Sequence, residues 1–128
     1  MIDHTGINVS NLTASKAFYL ATLSALGYEA RKDMHDIVIF GSKTRSGGED
    51  PAGDFYIAIG DVLSPRSHIA FRAKSRSEVD AFHQAALAAG GRSNGAPGLR
   101  PQYHDHYYAA FVLDPDGYNV EAVCHLAS

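Results

Sequence analysis

The chain has 128 residues, a formal net charge of −3 and a single cysteine, Cys124. This length predicts one compact domain, and the scattered lysines and arginines argue against nucleic acid or an anionic membrane as a partner. One cysteine excludes an internal disulfide. Because no basic leader and no apolar run of about 18 residues is present, we expect a soluble, cytoplasmic protein.

The two halves of the chain resemble each other. Residues 4–27 align with residues 68–91 at a shift of 64 positions, and seven of the 24 aligned pairs are identical, among them His4 with His68. A repeat of half the chain length indicates two similar modules that pack together within one domain. We expect the modules at residues 1–62 and 66–128.

Each half is predicted to begin with a strand followed by a helix. Residues 2–9 and 67–73 alternate between two faces, which is the periodicity of a strand. Apolar side chains at three- and four-residue steps then predict a helix in each half. The expected helix boundaries are Ser10 or Asn11 and Gly27 in the first half, and Ser75, in a capping box with Glu78, and Gly90-Gly91 in the second.

Short strands are predicted to complete each half. Two apolar runs follow each helix, and the last two runs are joined by the tight turn DPDG at residues 114–117. The Gly-rich segment 43–53 predicts an exposed loop, and 93–106 predicts a long irregular segment. The expected strands are 36–42, 54–60, 107–113 and 118–124, which makes the fold class α+β.

Three polar side chains stand on predicted strands at positions where a metal could be held. His4 and His68 occupy equivalent positions of the repeat, on the face opposite the apolar side chains that must meet the helices. Glu121 lies on the last strand, and a sheet formed from both halves would bring the three together. Two imidazoles and one carboxylate are typical of a site that binds a divalent metal and leaves positions open. The alternative is that they are unrelated structural or exposed residues.

The repeat predicts no fourth ligand. The shift of 64 residues places Ile57 opposite Glu121. Without an insertion between the two halves, the carboxylate that symmetry would supply is therefore missing.

The segment 99–111 concentrates aromatic and basic side chains just before a strand that neighbours Glu121. Loops at the ends of rigid strands often carry binding groups, and histidine or tyrosine can act there as a general acid or base. The alternative is a surface loop with aromatic packing.

The candidate site residues are assigned as follows. We expect His104 and Tyr103 to be catalytic, and Arg100, Tyr108 and Asn8 to bind substrate. His83 and His125 are predicted to be peripheral, and Cys124 to be a small core residue.

The residues that carry these patterns resemble the vicinal oxygen chelate superfamily, which includes glyoxalase I, extradiol dioxygenases and the fosfomycin- and bleomycin-resistance proteins. The similar stretches are DHTGINVSNLTASKAFY, SHIAFRAKSRSEVDAF and FVLDPDGYNVEAV, which together span nearly the whole chain. The resemblance implies paired βαβββ modules, a curved mixed sheet around a metal-binding cavity with the helices outside, and a homodimer. Its ligand positions map onto His4, His68 and Glu121.

The absent fourth ligand distinguishes the chain from part of that family. Glyoxalase I and methylmalonyl-CoA epimerase usually use four protein ligands, whereas a site with three ligands is more similar to those of extradiol dioxygenases and fosfomycin-type transferases.

The resemblance implies a metal-dependent enzyme. We expect it to bind Fe, Mn, Zn or Ni and a small oxygen-bearing substrate, with lyase, isomerase, transferase and dioxygenase chemistry all open. The alternative is a metal-free protein that binds a drug or metabolite, as bleomycin-resistance proteins do.

Overall fold

The computed structural model describes all 128 residues, which form eight strands and two helices. In chain order these are β1 (Thr5–Val9), α1 (Leu12–Ser24), β2 (Tyr28–Asp33), β3 (Ile37–Ser42), β4 (Phe55–Ile59), β5 (Ile69–Arg72), α2 (Arg76–Ala88), β6 (Arg92–Leu99), β7 (Tyr108–Leu113) and β8 (Asn119–Cys124). Each helix has 13 residues. No helix is both long and apolar enough to cross a membrane.

The strands form two four-stranded sheets of the same topology. Their strand orders are β1-β4-β3-β2 and β5-β8-β7-β6. In each sheet one parallel pair, β1 with β4 or β5 with β8, joins strands that otherwise pair antiparallel. This arrangement confirms the predicted α+β fold class.

The internal repeat is visible in the element boundaries. The first helix begins at Leu12 and the second at Arg76, and the first strands begin at Thr5 and Ile69. Both differences are 64 residues (76 − 12 and 69 − 5), the shift found in the sequence. The strands start a few residues later than the alternation predicts, so that each repeat histidine lies immediately before its strand.

The helix caps follow the sequence closely. Asn11 Oδ1 accepts from the backbone N–H of Ala14 at 3.1 Å, and Ser75 Oγ accepts from the N–H of Glu78 at 3.2 Å. The Glu78 carboxylate accepts from the N–H of Lys74 at 2.7 Å, one residue earlier than a standard capping box would have it. The bonds of Asn11 and Ser75 satisfy backbone donors that the first turn of a helix leaves free.

One hydrophobic core joins the two modules. It contains 21 buried residues from both helices and from the helix-facing sides of both sheets. Phe55 of β4 and Phe71 of β5 meet edge to face across the module boundary, with ring centroids 5.1 Å apart. Cys124 is fully buried in this core, as predicted. Because both sheets turn their helix-facing sides inward, their helix-free faces point away from the core.

The sequence does not predict two of the strands. β2 has the polar sequence YEARKD and lies at the edge of its sheet. β6 occupies the first half of the segment predicted to be irregular, and Gly95, Pro97 and Gly98 interrupt the apolar alternation by which a strand is recognised. Its pairing with β7 shifts register at two points near these glycines, as expected for bulges in an edge strand.

Candidate functional site

His68 and Glu121 lie side by side on the helix-free face of the second sheet. The parallel pairing of β5 with β8 places Ala70 opposite Glu121, and His68 directly precedes β5. His68 Nε2 is therefore 2.9 Å from Glu121 Oε2. The Glu121 side chain is only 3% exposed, whereas that of His68 is 46% exposed. The carboxylate is covered by protein, and the imidazole is open to solvent.

A backbone hydrogen bond fixes the orientation of the His68 ring. His68 Nδ1 lies 2.8 Å from the carbonyl oxygen of Asn119, and because a carbonyl only accepts, this nitrogen carries a proton. Nε2 then faces a carboxylate oxygen of Glu121 that also accepts when ionised, so a proton or a cation must lie between them. Two donors about 2.1 Å from one divalent metal at a right angle would be about 3 Å apart. The pair therefore fits two adjacent ligands of one metal, with the second nitrogen of the ring held as metal-binding histidines usually are.

A phenol holds the other oxygen of Glu121. The Tyr107 hydroxyl donates to Glu121 Oε1. Burial, together with the hydrogen bond to the carboxylate, raises the pKa of Tyr107 well above its usual range, so the phenol stays protonated and remains a donor. Tyr107 belongs to the aromatic segment 99–111, and no local pattern distinguishes it from its neighbours there. The strand register identifies it, since it alternates with Ala109 and Phe111 on the face where Phe111 pairs with Glu121.

The side chains of Tyr103, His104, Tyr107 and His125 form an aromatic cluster next to this carboxylate. The rings of Tyr103, His104 and His125 have their centroids 4.8, 5.5 and 5.3 Å from that of Tyr107. His104 Nδ1 accepts from the backbone N–H of His106, so His104 Nε2 donates to His125 Nδ1 at 2.8 Å. His104 and Tyr103, the predicted catalytic residues, thus contact Tyr107, and Tyr107 in turn contacts Glu121. His125, predicted to be peripheral, belongs to the cluster.

Arg100 and Tyr108, two predicted substrate-binding residues, lie on opposite sides of the second sheet. The Arg100 guanidinium donates to backbone carbonyls of Ala96, Gly98 and Leu99 in β6, the strand that precedes it. It also lies over the ring of Phe111, 5.4 Å from its centroid. Arg100 therefore borders the face that carries Glu121. The Tyr108 hydroxyl donates to Asp80 of α2 at 2.7 Å, which places it on the helix side, away from that face.

His4 lies on the helix-free face of the first sheet. His4 Nδ1 is 2.7 Å from a carboxylate oxygen of Asp3, and this hydrogen bond, with the charge of Asp3, raises the pKa of His4 above its usual value. The side chain borders a cavity of about 230 Å³ together with Ile37, Ile39 and Tyr56. His4 thus contacts neither of the two residues with which the sequence grouped it.

Within one chain, the predicted metal ligands are only partly assembled. His68 and Glu121 meet, but no group of three or more histidine, cysteine, aspartate or glutamate side chains is placed to hold a metal. Asn8, the remaining predicted substrate-binding residue, lies on the face of His4, where its amide donates to the carbonyl of Asp61 at 3.2 Å.

The position equivalent to Glu121 in the first module is Tyr56, and the prediction of Ile57 was wrong by one residue. Gly6 of β1 pairs with Tyr56 in the way that Ala70 of β5 pairs with Glu121. The offset is therefore 65 residues at this point, because the loops before the two last strands differ in length. Ile57 is fully buried in the core. Neither Tyr56 nor Ile57 carries a carboxylate, so in either register the first module has no counterpart of Glu121.

Two repeated modules of strand, helix and three strands, with histidine and glutamate on an open sheet face, define the class of fold to which glyoxalases and resistance proteins belong. The chain belongs to the Glyoxalase/Bleomycin resistance protein/Dioxygenase superfamily, whose family model matches residues 1–122. No curated protein sequence matches the chain significantly.

Solved structures of the same superfamily match nearly the whole chain. A glyoxalase/bleomycin resistance protein from Albidiferax ferrireducens T118 is 29% identical, with 97% of this chain and 98% of that chain covered and a TM-score of 0.78. A family enzyme from Burkholderia phytofirmans PsJN is 16% identical, with 98% of each chain covered and a TM-score of 0.71. The fosfomycin resistance protein FosX from Listeria monocytogenes is 21% identical, with 99% of this chain and 94% of that chain covered and a TM-score of 0.69. The latter two likenesses show the fold alone.

Proposed function

We propose that the protein is a metal-dependent enzyme that acts on a small substrate with two neighbouring oxygen atoms. Members of its superfamily generally use divalent metals, and the donor set of nitrogen and oxygen atoms suits Fe, Mn, Zn or Ni. When bound, the metal would supply a Lewis acid that stabilises negative charge developing on the substrate oxygens. Lyase, isomerase, transferase and dioxygenase chemistry are all compatible with these ligands.

The contact between His68 and Glu121 is the observation that carries this proposal. A buried carboxylate is costly unless it is paired, and Glu121 faces Nε2 of the His68 imidazole, whose other nitrogen donates to a backbone carbonyl. This is the arrangement by which proteins orient metal-binding histidines. The accessible edge of His68 leaves room for further ligands and substrate.

The third ligand in this proposal is His4 of a second copy of the chain. His4 lies on the open face of the first sheet, and His68 and Glu121 lie on the open face of the second. A two-fold axis would place the first face of one copy against the second face of the other and would create two equivalent sites. The functional unit would then be a homodimer with each site shared between subunits.

Residues around the paired ligands would position the substrate and move its proton. Arg100 borders the site on the far side of Phe111, where its charge favours an anionic group. Tyr103 is 61% exposed, so its phenol is an accessible candidate for proton exchange, and His104 is the second candidate.

Metal titration of matched variants tests the proposal. Wild-type protein, purified without a tag or chelator and titrated calorimetrically with Zn²⁺ or Ni²⁺, is expected to bind about one ion per chain. His68→Ala and Glu121→Gln should each lose this binding. His83→Ala is the matched control, because His83 lies on α2 and its ring bonds to Ser93 of β6 rather than to either proposed ligand. Equal binding by all four proteins would refute the assignment of the ligands.

A metal-free binding protein is the second candidate, and the cavity beside His4 favours it. Five of its eight lining residues are apolar, among them Ile37, Ile39 and Tyr56, which suits an apolar ligand group. If His68 is protonated, its ion pair with Glu121 is also complete without a metal. A wild-type protein that takes up no metal but binds small aromatic molecules would support this function over the first.

A further inference from the structure

We infer that Tyr107 is a positioning residue that holds Glu121 so that only its Oε2 can reach a metal, and that the His104–His125 pair holds Tyr107 in place. This inference rests on the proposed function, because it concerns how the chain orients a metal ligand.

The two oxygens of the Glu121 carboxylate have different partners. Oε1 accepts from the Tyr107 hydroxyl, and Oε2 faces His68 Nε2 at 2.9 Å. A hydrogen-bond donor on one carboxylate oxygen draws electron density to that oxygen and restricts the rotation of the group, which favours metal binding through the other oxygen. The phenol therefore selects a one-oxygen mode of binding and keeps the second coordination position for substrate or water.

The phenol is fixed before any ligand binds. The Tyr107 side chain shares the face of Glu121, and three rings surround it. Two of these rings, those of His104 and His125, are joined by a hydrogen bond. The His104 ring also accepts from the backbone N–H of His106, which fixes its orientation. A donor that is held in place loses little conformational entropy when the site forms.

Removal of the phenol oxygen should weaken metal binding without disturbing the fold. Partners of metal ligands typically contribute about 10- to 100-fold to metal affinity, and we expect a loss in this range for Tyr107→Phe. The variant keeps the ring, so its packing in the cluster is retained. Tyr108→Phe is the matched control, since its hydroxyl bonds to Asp80 on the helix side.

The experiment is a titration with Co²⁺ alone, followed by calorimetry and by visible absorption. Tyr107→Phe should bind Co²⁺ about 10- to 100-fold more weakly and should show weaker absorption bands, because a carboxylate free to bind through both oxygens raises the coordination number. A role confined to packing would not change the spectrum of the bound ion. Tyr108→Phe should match the wild type in both affinity and spectrum.

A second variant tests the part played by the histidine pair. His125→Ala removes an exposed side chain of the C-terminal segment and should weaken Co²⁺ binding by less than Tyr107→Phe does. Unchanged affinity in His125→Ala would overturn the role of the pair.

Wild-type affinity together with an unchanged spectrum in Tyr107→Phe would overturn the positioning role and leave the proposed function standing. A wild-type protein that binds no Co²⁺ would overturn both.

Discussion

The hydrogen bond between Tyr19 and Asp114 offers a quantitative test of how the two modules are joined. Tyr19 of α1 is fully buried, Asp114 of the DPDG turn is 4% exposed, and the phenol donates to Asp114 Oδ2 at 2.6 Å. Asp114 Oδ1 accepts from the backbone N–H groups of Asp116 and Tyr118, so Tyr19 is the partner of the other oxygen. Tyr19→Phe would leave that buried oxygen unsatisfied, which costs about 2 kcal/mol.

Urea and thermal unfolding measure this cost. In a chain of 128 residues, about 2 kcal/mol corresponds to a fall in Tm of about 6–10 °C. Tyr28→Phe is the matched control, because the Tyr28 hydroxyl makes no hydrogen bond within the chain, and its free energy of unfolding should change by less than about 0.5 kcal/mol. Equal, small losses in the two variants would refute the conclusion that this bond stabilises the contact between modules.

Three further perturbations have expected outcomes. Burial raises the pKa of Asp114, so the folded state holds its proton more tightly, and the stability of the wild type relative to Asp114→Asn should fall as the pH rises from about 4; urea titrations that show a rise would contradict this sign. A Cβ on Gly6 would lie 2.2 Å from the Tyr56 ring, so Gly6→Ala should lose about 1–3 kcal/mol, and Tyr56→Ala in the same chain should restore part of it; additive losses would show that the two residues do not clash. Ser75→Ala removes the cap that accepts from Glu78 and should cost about 1 kcal/mol in thermal melts, whereas an unchanged Tm would mean that water replaces the cap.

The sequence predicts what depends on local pattern. The helices begin after the expected caps, Asn11 and Ser75, because capping and three- to four-residue periodicity act within one turn. The two edge strands were not predicted, because a strand at the edge of a sheet does not require alternating apolar residues. β2 is polar, and β6 contains glycine and proline. The fold class follows from the repeat even with these two strands missing.

The site depends on contacts that a single sequence does not specify. The burial of Glu121 and its bond to Tyr107 arise from the register of β7 against β8. A one-residue difference in loop length makes Tyr56, and not the predicted Ile57, the residue equivalent to Glu121 in the first module. His4 and His68 are equivalent in the repeat and both lie on helix-free faces, as predicted. Their equivalence does not determine whether those faces meet within one chain. In the structure His68 contacts Glu121, whereas the hydrogen-bond partner of His4 is Asp3.

A mixing experiment tests the central claim, a metal site shared between two copies, most directly. His4→Ala keeps His68 and Glu121, and Glu121→Gln keeps His4, so each variant alone should bind Zn²⁺ weakly. After denaturation and joint refolding in equal amounts, half of the dimers would be mixed and would each contain one intact site. Binding should therefore recover to about a quarter of the wild-type stoichiometry. No recovery in the mixture, with full binding by wild type refolded in the same way, would contradict a shared site.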